Sequence, residues 1–487
     1  MLIEEGGFYG RDPRKYKLRI ALIYPGPYKV AVSSLGHQIL YFMMNSIEGV
    51  MAERFVSDLK GSVESGRPIE EFDLIMASLH FEGQYHTLLK MTHGVSKPLI
   101  VGGPAVSFNP LPMSPLVKAV GLGDGEGVVE EAVTRIMEDG LSAFFHDSFF
   151  FYERKNRAKL NRASKLNPLL TQIKVSDGNR VINKFLLEVS RGCSWGCRFC
   201  GLGWHWRPRV DLEADHVREA LDSAQELGFR EVYLIGSDAA SSGVLKEVLS
   251  EVVDRGLRAS VPSLRANQVD SELIGLIREA GEEIVTLAPE TGSEDLRKVI
   301  NKRMDNDEII RAVEEARDRG IKRVKLYFMV GLPFERLEDV IESANLANKS
   351  NSILKTKISL SIFVPKAGTP FEKAPLLREE EFKRRVSAFS KIFDGEINVS
   401  HYGRAFIQAI LSLGGFEIGE LIRITYDKPF NKRIYYRAAD SIGIDVEKLL
   451  FGERETPWWD YVNSGIPRSL VISEFERARR ERGQALF

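Results

Sequence analysis

Between residues 184 and 365 six short apolar runs recur: Lys184–Arg191, Glu231–Ser237, Ala259–Ala266, Glu283–Glu290, Val324–Gly331 and Ile358–Pro365. Amphipathic segments separate them. In 213–227 the residues Val217, Ala220, Leu221, Ala224 and Leu227 fall on one helical face, and in 307–319 Ile309, Ile310, Val313 and Ala316 do the same. Gly228, Gly256, Gly281 and Gly320 stand where these helices should stop, because glycine adopts the left-handed conformation of a C-terminal cap at least cost. Six such strand–helix units predict a partial barrel of parallel strands, with its chemistry at the carboxyl ends of those strands. The unusual segments fall there. Arg191–Cys200 follows the first strand, Gly236-Ser237-Asp238 the second, and Arg265 ends the third. Glu290 ends the fourth, Gly331-Leu332-Pro333 the fifth and Pro365-Lys366 the sixth.

A chain of 487 residues is too long for one such domain. With 44% hydrophobic and 28% charged residues it is globular, and a net charge of −1 excludes wholesale neutralisation of phosphates. Residues 1–140 alternate strand and helix again. Leu18–Pro25, Phe72–Leu79, Pro98–Pro104 and Ala119–Gly123 read as strands, and Ser33–Ile47, Glu82–Thr92 and Val128–Glu138 as helices. The expectation is an α/β domain with a doubly wound parallel sheet, whose ligands sit beyond the strand ends near Gly26, Gly102, Gly103 and Gly125. These glycines could equally serve only to turn the chain. No G-x-G-x-x-G follows the first strand, which disfavours a dinucleotide.

Residues 141–182 read as a basic linker: eight Lys and Arg stand against Glu153 and Asp177 between 151 and 180, which suits a solvated strap or, failing that, RNA. The barrel is expected over 183–400. The region 401–487 returns to helical periodicity, at Ala405–Leu413, Glu417–Ile424, Arg433–Ile442 and Ser473–Arg482. Charge at the N-terminus and the absence of an 18-residue apolar run predict a cytoplasmic protein with no membrane association.

All three cysteines of the chain, Cys193, Cys197 and Cys200, lie on the loop after the first barrel strand. A disulfide would strand one of them. Three thiolates spaced C-x3-C-x2-C can hold three irons of a [4Fe–4S] cube and leave the fourth iron open to a ligand. The competing reading is zinc with His205 as a fourth ligand, in an RNA-binding protein that uses the basic strap and residues 204–209.

This loop, with Phe199 before its last cysteine, the six β/α units and the Gly236-Ser237-Asp238 turn, resembles the radical S-adenosylmethionine (SAM) enzymes. The resemblance implies a cluster that chelates SAM, cleaves it reductively and directs the resulting radical at an unreactive C–H position. It implies that Phe199 packs on adenine and that Gly236, Ser237 and Asp238 serve the SAM amino group. Arg265, Glu290 and Lys302 would hold its ribose and carboxylate, or form a salt-bridge network beneath the cluster, and the Val330 backbone would meet adenine. A reductant such as ferredoxin or flavodoxin is implied as partner, with RNA, protein or a small molecule as substrate. Tyr24-Pro25, Leu35-Gly36, Val101–Pro104 and Gly123–Glu126 are similar to the cobalamin-binding-type domain that precedes many radical SAM domains. The D-x-H-x-x-G motif is missing, which leaves cobalamin, and with it methyl transfer, open against a cobalamin-free oxidoreductase, isomerase or lyase. With no cysteine outside the loop, a second cluster with cysteine ligands, and so methylthiotransferase chemistry, is not expected.

Overall fold

The computed structural model describes residues 4–175 and 184–482. Asp177 and Arg180 of the basic stretch lie outside the described residues. The first sheet has six strands: β1 (Leu18–Tyr24), β2 (Val50–Val56), β3 (Leu74–Ser78), β4 (Leu99–Gly102), β5 (Ala119–Gly121) and β6 (Phe149–Phe150). Their order is β2-β1-β3-β4-β5-β6, parallel except for β6. This is a doubly wound arrangement whose order reverses beside β1 and β3, the position at which such sheets bind ligands. Leu22, Tyr41, Met44, Met76 and Val133 fill one core between the sheet and the helices α1 (Leu35–Ser46) and α2 (Val128–Asp139).

Two strands of this sheet are absent from the sequence reading. In β2, Glu53 and Arg54 interrupt an otherwise apolar run, yet both are buried. Arg54 pairs with Glu64 at 2.6 Å and Glu53 accepts from the Ser62 and Ser65 hydroxyls at 2.5 Å, so the charges are satisfied inside. Strand β6 lies within 141–182. That segment is built into both halves of the molecule: Ala158–Lys159 pairs with Val462–Asn463, and Asn161 bridges to Gly123. Its cations Arg154, Lys155, Arg157 and Lys159 remain exposed.

The second half contains β7 (Phe185–Arg191), β8 (Glu231–Gly236), β9 (Arg258–Ser260), β10 (Ile284–Glu290), β11 (Arg323–Val330) and β12 (Thr356–Ile362). They run parallel in chain order, with β7–β9 and β10–β12 joined by a single bridge between Leu264 and Leu287. Pro262 explains the short third strand, since proline cannot donate to a ladder. A seventh parallel strand, β13 (Glu396–Val399), extends the open edge. The fold is thus a doubly wound sheet, a partial barrel and a helical C-terminal region, in that order. Two further helices bear on the site: α3 (Glu294–Val299) and α4 (Arg468–Arg482). Among the described residues no helix is long and apolar enough to cross a membrane.

Candidate metal centre and interdomain cavity

The cysteine loop turns out of β7 through Gly192, where φ is +79° and an added Cβ would lie 2.4 Å from the Trp206 carbonyl. Only glycine fits so close an approach in that conformation. The loop is then pinned from several sides. The Cys193 N–H donates to the Trp206 carbonyl at 3.3 Å, Trp204 Nε1 to the Cys197 carbonyl at 3.0 Å, and Asn301 Nδ2 to the Gly196 carbonyl at 3.0 Å. The Arg198 N–H donates to the Ile300 carbonyl at 3.0 Å. Asn301 and Glu290 both hold positive φ, 54° and 68°, and both lie against this loop or its charges. Non-glycine residues keep that conformation only where their surroundings over-determine it, which happens most at functional sites.

Burial raises all three thiols above the ordinary cysteine value, Cys200 to about 12, with the other two cysteines adding to the effect there. For Cys197, Lys302 and Arg265 oppose the burial and Glu290 adds to it. The metal-free loop therefore holds neutral thiols at pH 7, and a metal would displace their protons on binding. Among the described residues no three Cys, His, Asp or Glu side chains converge as they would on one ion. A cubane cluster carries each thiolate on a separate iron and so needs its ligands farther apart than a single ion does. The zinc reading loses its fourth ligand. His205 is buried, hydrogen-bonds to the Ala367 carbonyl at 2.9 Å, and its ring lies 5.1 Å from those of Phe108 and Trp458. Burial lowers its pKa to about 4, so it is a neutral packing residue.

Around the loop, Arg265 brings Nη1 to 4.0 Å from Cys197 Sγ, lies 3.9 Å over the Trp195 ring and donates to the Arg303 carbonyl at 2.8 Å. Lys302 and Glu290 form an ion pair at 2.5 Å with both side chains mostly buried. Arg265, Glu290 and Lys302 are thus brought to Cys197. Asp238 faces the other side of the loop: beyond burial, its charge helps raise the Cys193 thiol, and it lies 3.4 Å from the Arg209 guanidinium, which also holds Asp211 at 2.6 Å. At Gly236 an added Cβ would come within 2.7 Å of Ser190 Oγ, so this glycine serves the close approach of β7 and β8. Phe199 is half-buried and packs on the apolar group that includes Leu296, Ile300, Phe334 and Phe371. Val330 is buried, its carbonyl accepts from the Phe363 N–H at 2.9 Å, and the following Gly331 N–H donates to Glu335 Oε2 at 2.8 Å.

Ser237 lines a different feature, a cavity of ≈ 370 Å³ between the two halves. Its floor is the carboxyl end of the first sheet: Met76–Ser78, Ile100–Gly103 and Gly121–Glu126. It runs down beside α1 to Leu40 and Met43 and up to Leu202 and Trp206, next to the cysteine loop. Gly102 faces it with room to spare, since an added Cβ would meet only the Gly121 carbonyl, at 3.7 Å. The rim carries a charged latch that sequence reasoning missed. Arg191, at the end of β7, holds Glu188 at 2.6 Å, Glu126 at 2.8 Å and Asp124 at 3.3 Å. Asp124 also accepts from Trp206 Nε1 at 2.9 Å and the Ala163 N–H at 2.8 Å. Burial pushes the Glu188 carboxyl above its ordinary value despite Arg191. The available signal was a glutamate inside an apolar strand, Phe185–Arg191.

Fold and site define an enzyme class: a three-cysteine loop at the open end of a partial barrel, set beneath a doubly wound domain. Comparison with known proteins agrees. Residues 187–347 match the radical SAM superfamily model, and residues 36–143 match the model for the N-terminal part of radical SAM proteins. The chain carries a radical SAM domain preceded by the N-terminal domain of radical SAM proteins, and the cofactors that this domain implies are a [4Fe–4S] cluster and SAM. An uncharacterized protein of Methanocaldococcus jannaschii, MJ0966, is 28% identical over 416 residues, covering 81% of this chain and 88% of its own. Among solved structures, the radical SAM methyltransferase TsrM from Kitasatospora setae, with cobalamin and a [4Fe–4S] cluster bound, superimposes with a TM-score of 0.57. It is 15% identical, and the match covers 73% of this chain and 74% of that one. OxsB, a cobalamin-dependent SAM radical enzyme solved with aqua-cobalamin and SAM, has a TM-score of 0.52 at 15% identity, covering 79% of this chain and 58% of that one.

Proposed function

We propose that the enzyme modifies an unreactive C–H position by methyl transfer, with a corrinoid held in the interdomain cavity. The observation that carries this reading is the cavity. It is continuous from the glycine-rich ends of β4 and β5 to Leu202, Trp206 and Ser237 beside the cysteines. A flat macrocycle needs a wall free of side chains, and Gly102, with room around its Cα, supplies one. The volume falls in the range of cofactor pockets, and its lining is largely apolar with a few charged groups at the rim. The domain order shared with TsrM and OxsB, both solved with cobalamin, supports the same assignment.

When bound, the iron–sulfur cluster and SAM supply one-electron cleavage of a carbon–sulfur bond, and the corrinoid supplies a methyl carrier. The chain's own residues bind, orient and exclude water. Cys193, Cys197 and Cys200 would hold three irons as thiolates. Arg265 and Lys302 bring positive charge to the buried Cys197 and offset the charge that three thiolates accumulate. Leu22, Met76 and Ile100 keep the cavity floor dry, and the Arg191 latch holds the two halves at a fixed separation across it. A one-electron donor of the ferredoxin or flavodoxin kind would act from outside, in a reducing, cytoplasmic setting.

The test is anaerobic reconstitution with iron, sulfide and hydroxocobalamin, followed by product analysis with SAM and dithionite. The expected outcome is stoichiometric corrinoid, 5′-deoxyadenosine and S-adenosylhomocysteine. Formation of 5′-deoxyadenosine by a chain that retains no corrinoid would replace methyl transfer with cobalamin-free radical chemistry. No SAM cleavage at all would refute the proposed reaction.

A further inference from the structure

Arg198 lies between the second and third cysteines, and its side chain is 1% exposed. The guanidinium donates from Nε to Glu474 Oε2 at 2.9 Å, and from Nη1 to Glu481 Oε2 and the Val299 carbonyl, each at 2.6 Å. The main chain of the same residue donates to Ile300 and accepts from the Phe371 N–H at 3.3 Å. One residue of the cysteine loop therefore joins the end of α3, the segment after β12 and the helix α4, which is 276 residues further along the chain. On α4 the contact face is built at helical spacing. Glu474, the fully buried Ala478 and Glu481 are four and three residues apart, and Arg477 braces both carboxylates from the outer side at 3.7 and 3.3 Å. Phe475 packs against Phe334 and Phe371, in the same apolar group as Phe199. The helix end is fixed by Arg482 to the buried Asp339.

A buried guanidinium without a counterion is costly, which accounts for two carboxylates but not for their origin on a helix 276 residues away or for the cation's place between two cysteines. We propose that α4 is part of the iron–sulfur site. Arg198 is a positioning residue that clamps the cysteine loop, and its balance with Glu474 and Glu481 sets the reduction potential of the cluster. The physics has a sign. A fixed cation beside a cluster favours the reduced, more negative state, and carboxylates on the same cation oppose it, so charge and hydrogen bonding around the thiolates act as levers on potential. The proposal rests on Cys193, Cys197 and Cys200 holding the cluster.

The experiment uses the full chain, reconstituted anaerobically, as wild type, E481Q, E474Q/E481Q and R198M. Midpoint potentials come from an electron paramagnetic resonance (EPR)-monitored dithionite titration, and iron release is timed with bathophenanthroline. Replacing carboxylate by amide keeps the shape of α4. E474Q/E481Q should shift the potential positive, with E481Q intermediate, and should release iron on the order of tenfold faster, as outer-shell losses at metal sites do. R198M should shift the potential negative. Shifts of the same sign in R198M and the double variant would mean a structural disturbance without charge coupling, and would overturn the proposal. Wild-type potential and release rate in every variant would also overturn it. A wild-type chain that takes up iron and sulfide in neither stoichiometric nor EPR-active form would overturn the cluster assignment itself.

Discussion

Replacing Arg191 by methionine should destabilise the protein in a pH-dependent way, and the size of the effect can be worked from the latch. Arg191 forks onto Glu188 at 2.9 and 2.6 Å and reaches Glu126 and Asp124 from the other half of the molecule. Methionine fills the space and leaves Glu188 buried without its counterion. The carboxyl can escape the penalty by taking up a proton, so the Glu188 share of the cost cannot exceed that of protonating it. At pH 7.5, three pH units above the ordinary value of 4.5, that ceiling is about 4 kcal/mol. At pH 5.5 it is about 1.4 kcal/mol. The upper figure agrees with the roughly 3–5 kcal/mol lost when one member of a buried pair is removed. The sign is fixed by linkage. Burial already raises the folded-state pKa of Glu188, so this group's contribution is fully present below its unfolded pKa and lost as pH rises through the folded one. Loss of Arg191 raises the folded pKa further, and the deficit against wild type must grow between pH 5.5 and 7.5. Urea unfolding of the full chain at the two pH values measures this. The double variant E188Q/R191M should recover most of the loss at pH 7.5. An R191M deficit equal at both pH values, or a double variant no better than the single one, would refute the reasoning.

Four further outcomes are expected. C197S should abolish iron retention and SAM cleavage while costing the metal-free chain only about 1–3 kcal/mol for a buried hydroxyl, read by iron assay and thermal melting. G102L should fold normally and lose corrinoid uptake while keeping its cluster, because its side chain enters the cavity from an unstrained backbone. Its neighbour G103A is the contrasting case: with φ at +102° and an added Cβ 2.6 Å from the Leu79 carbonyl, it should cost about 1–3 kcal/mol of stability before any ligand is considered. K302M should cost about 3 kcal/mol by leaving Glu290 buried and unpaired, and K302M/E290Q should regain most of it in the same unfolding assay.

What could be read from the amino-acid order alone follows the range of the interactions. Helix faces, glycine stops and the C-x3-C-x2-C spacing are local, so α2, the six barrel strands and the cysteine loop were legible. Strand β2 was not, because Glu53 and Arg54 look like surface residues until Ser62, Glu64 and Ser65 arrive from the following loop to satisfy them. The same holds at the site. Arg198 reads as a spacer between cysteines, and Asn301 as a loop residue, because their partners lie about a hundred or more residues away, at Glu474 and Gly196. Glu188 is the instructive case. A carboxylate inside an apolar strand must be paired or protonated, since an isolated buried charge costs far more than a strand can offset. The strand therefore announces either a cation or a bound proton. Arg191, three residues on, is the local half of the answer and could have been found by spacing alone. That the same guanidinium also takes Glu126 and Asp124 is a property of two domains meeting. It is this long-range half that converts an ordinary ion pair into the wall of a cavity facing the cysteine loop.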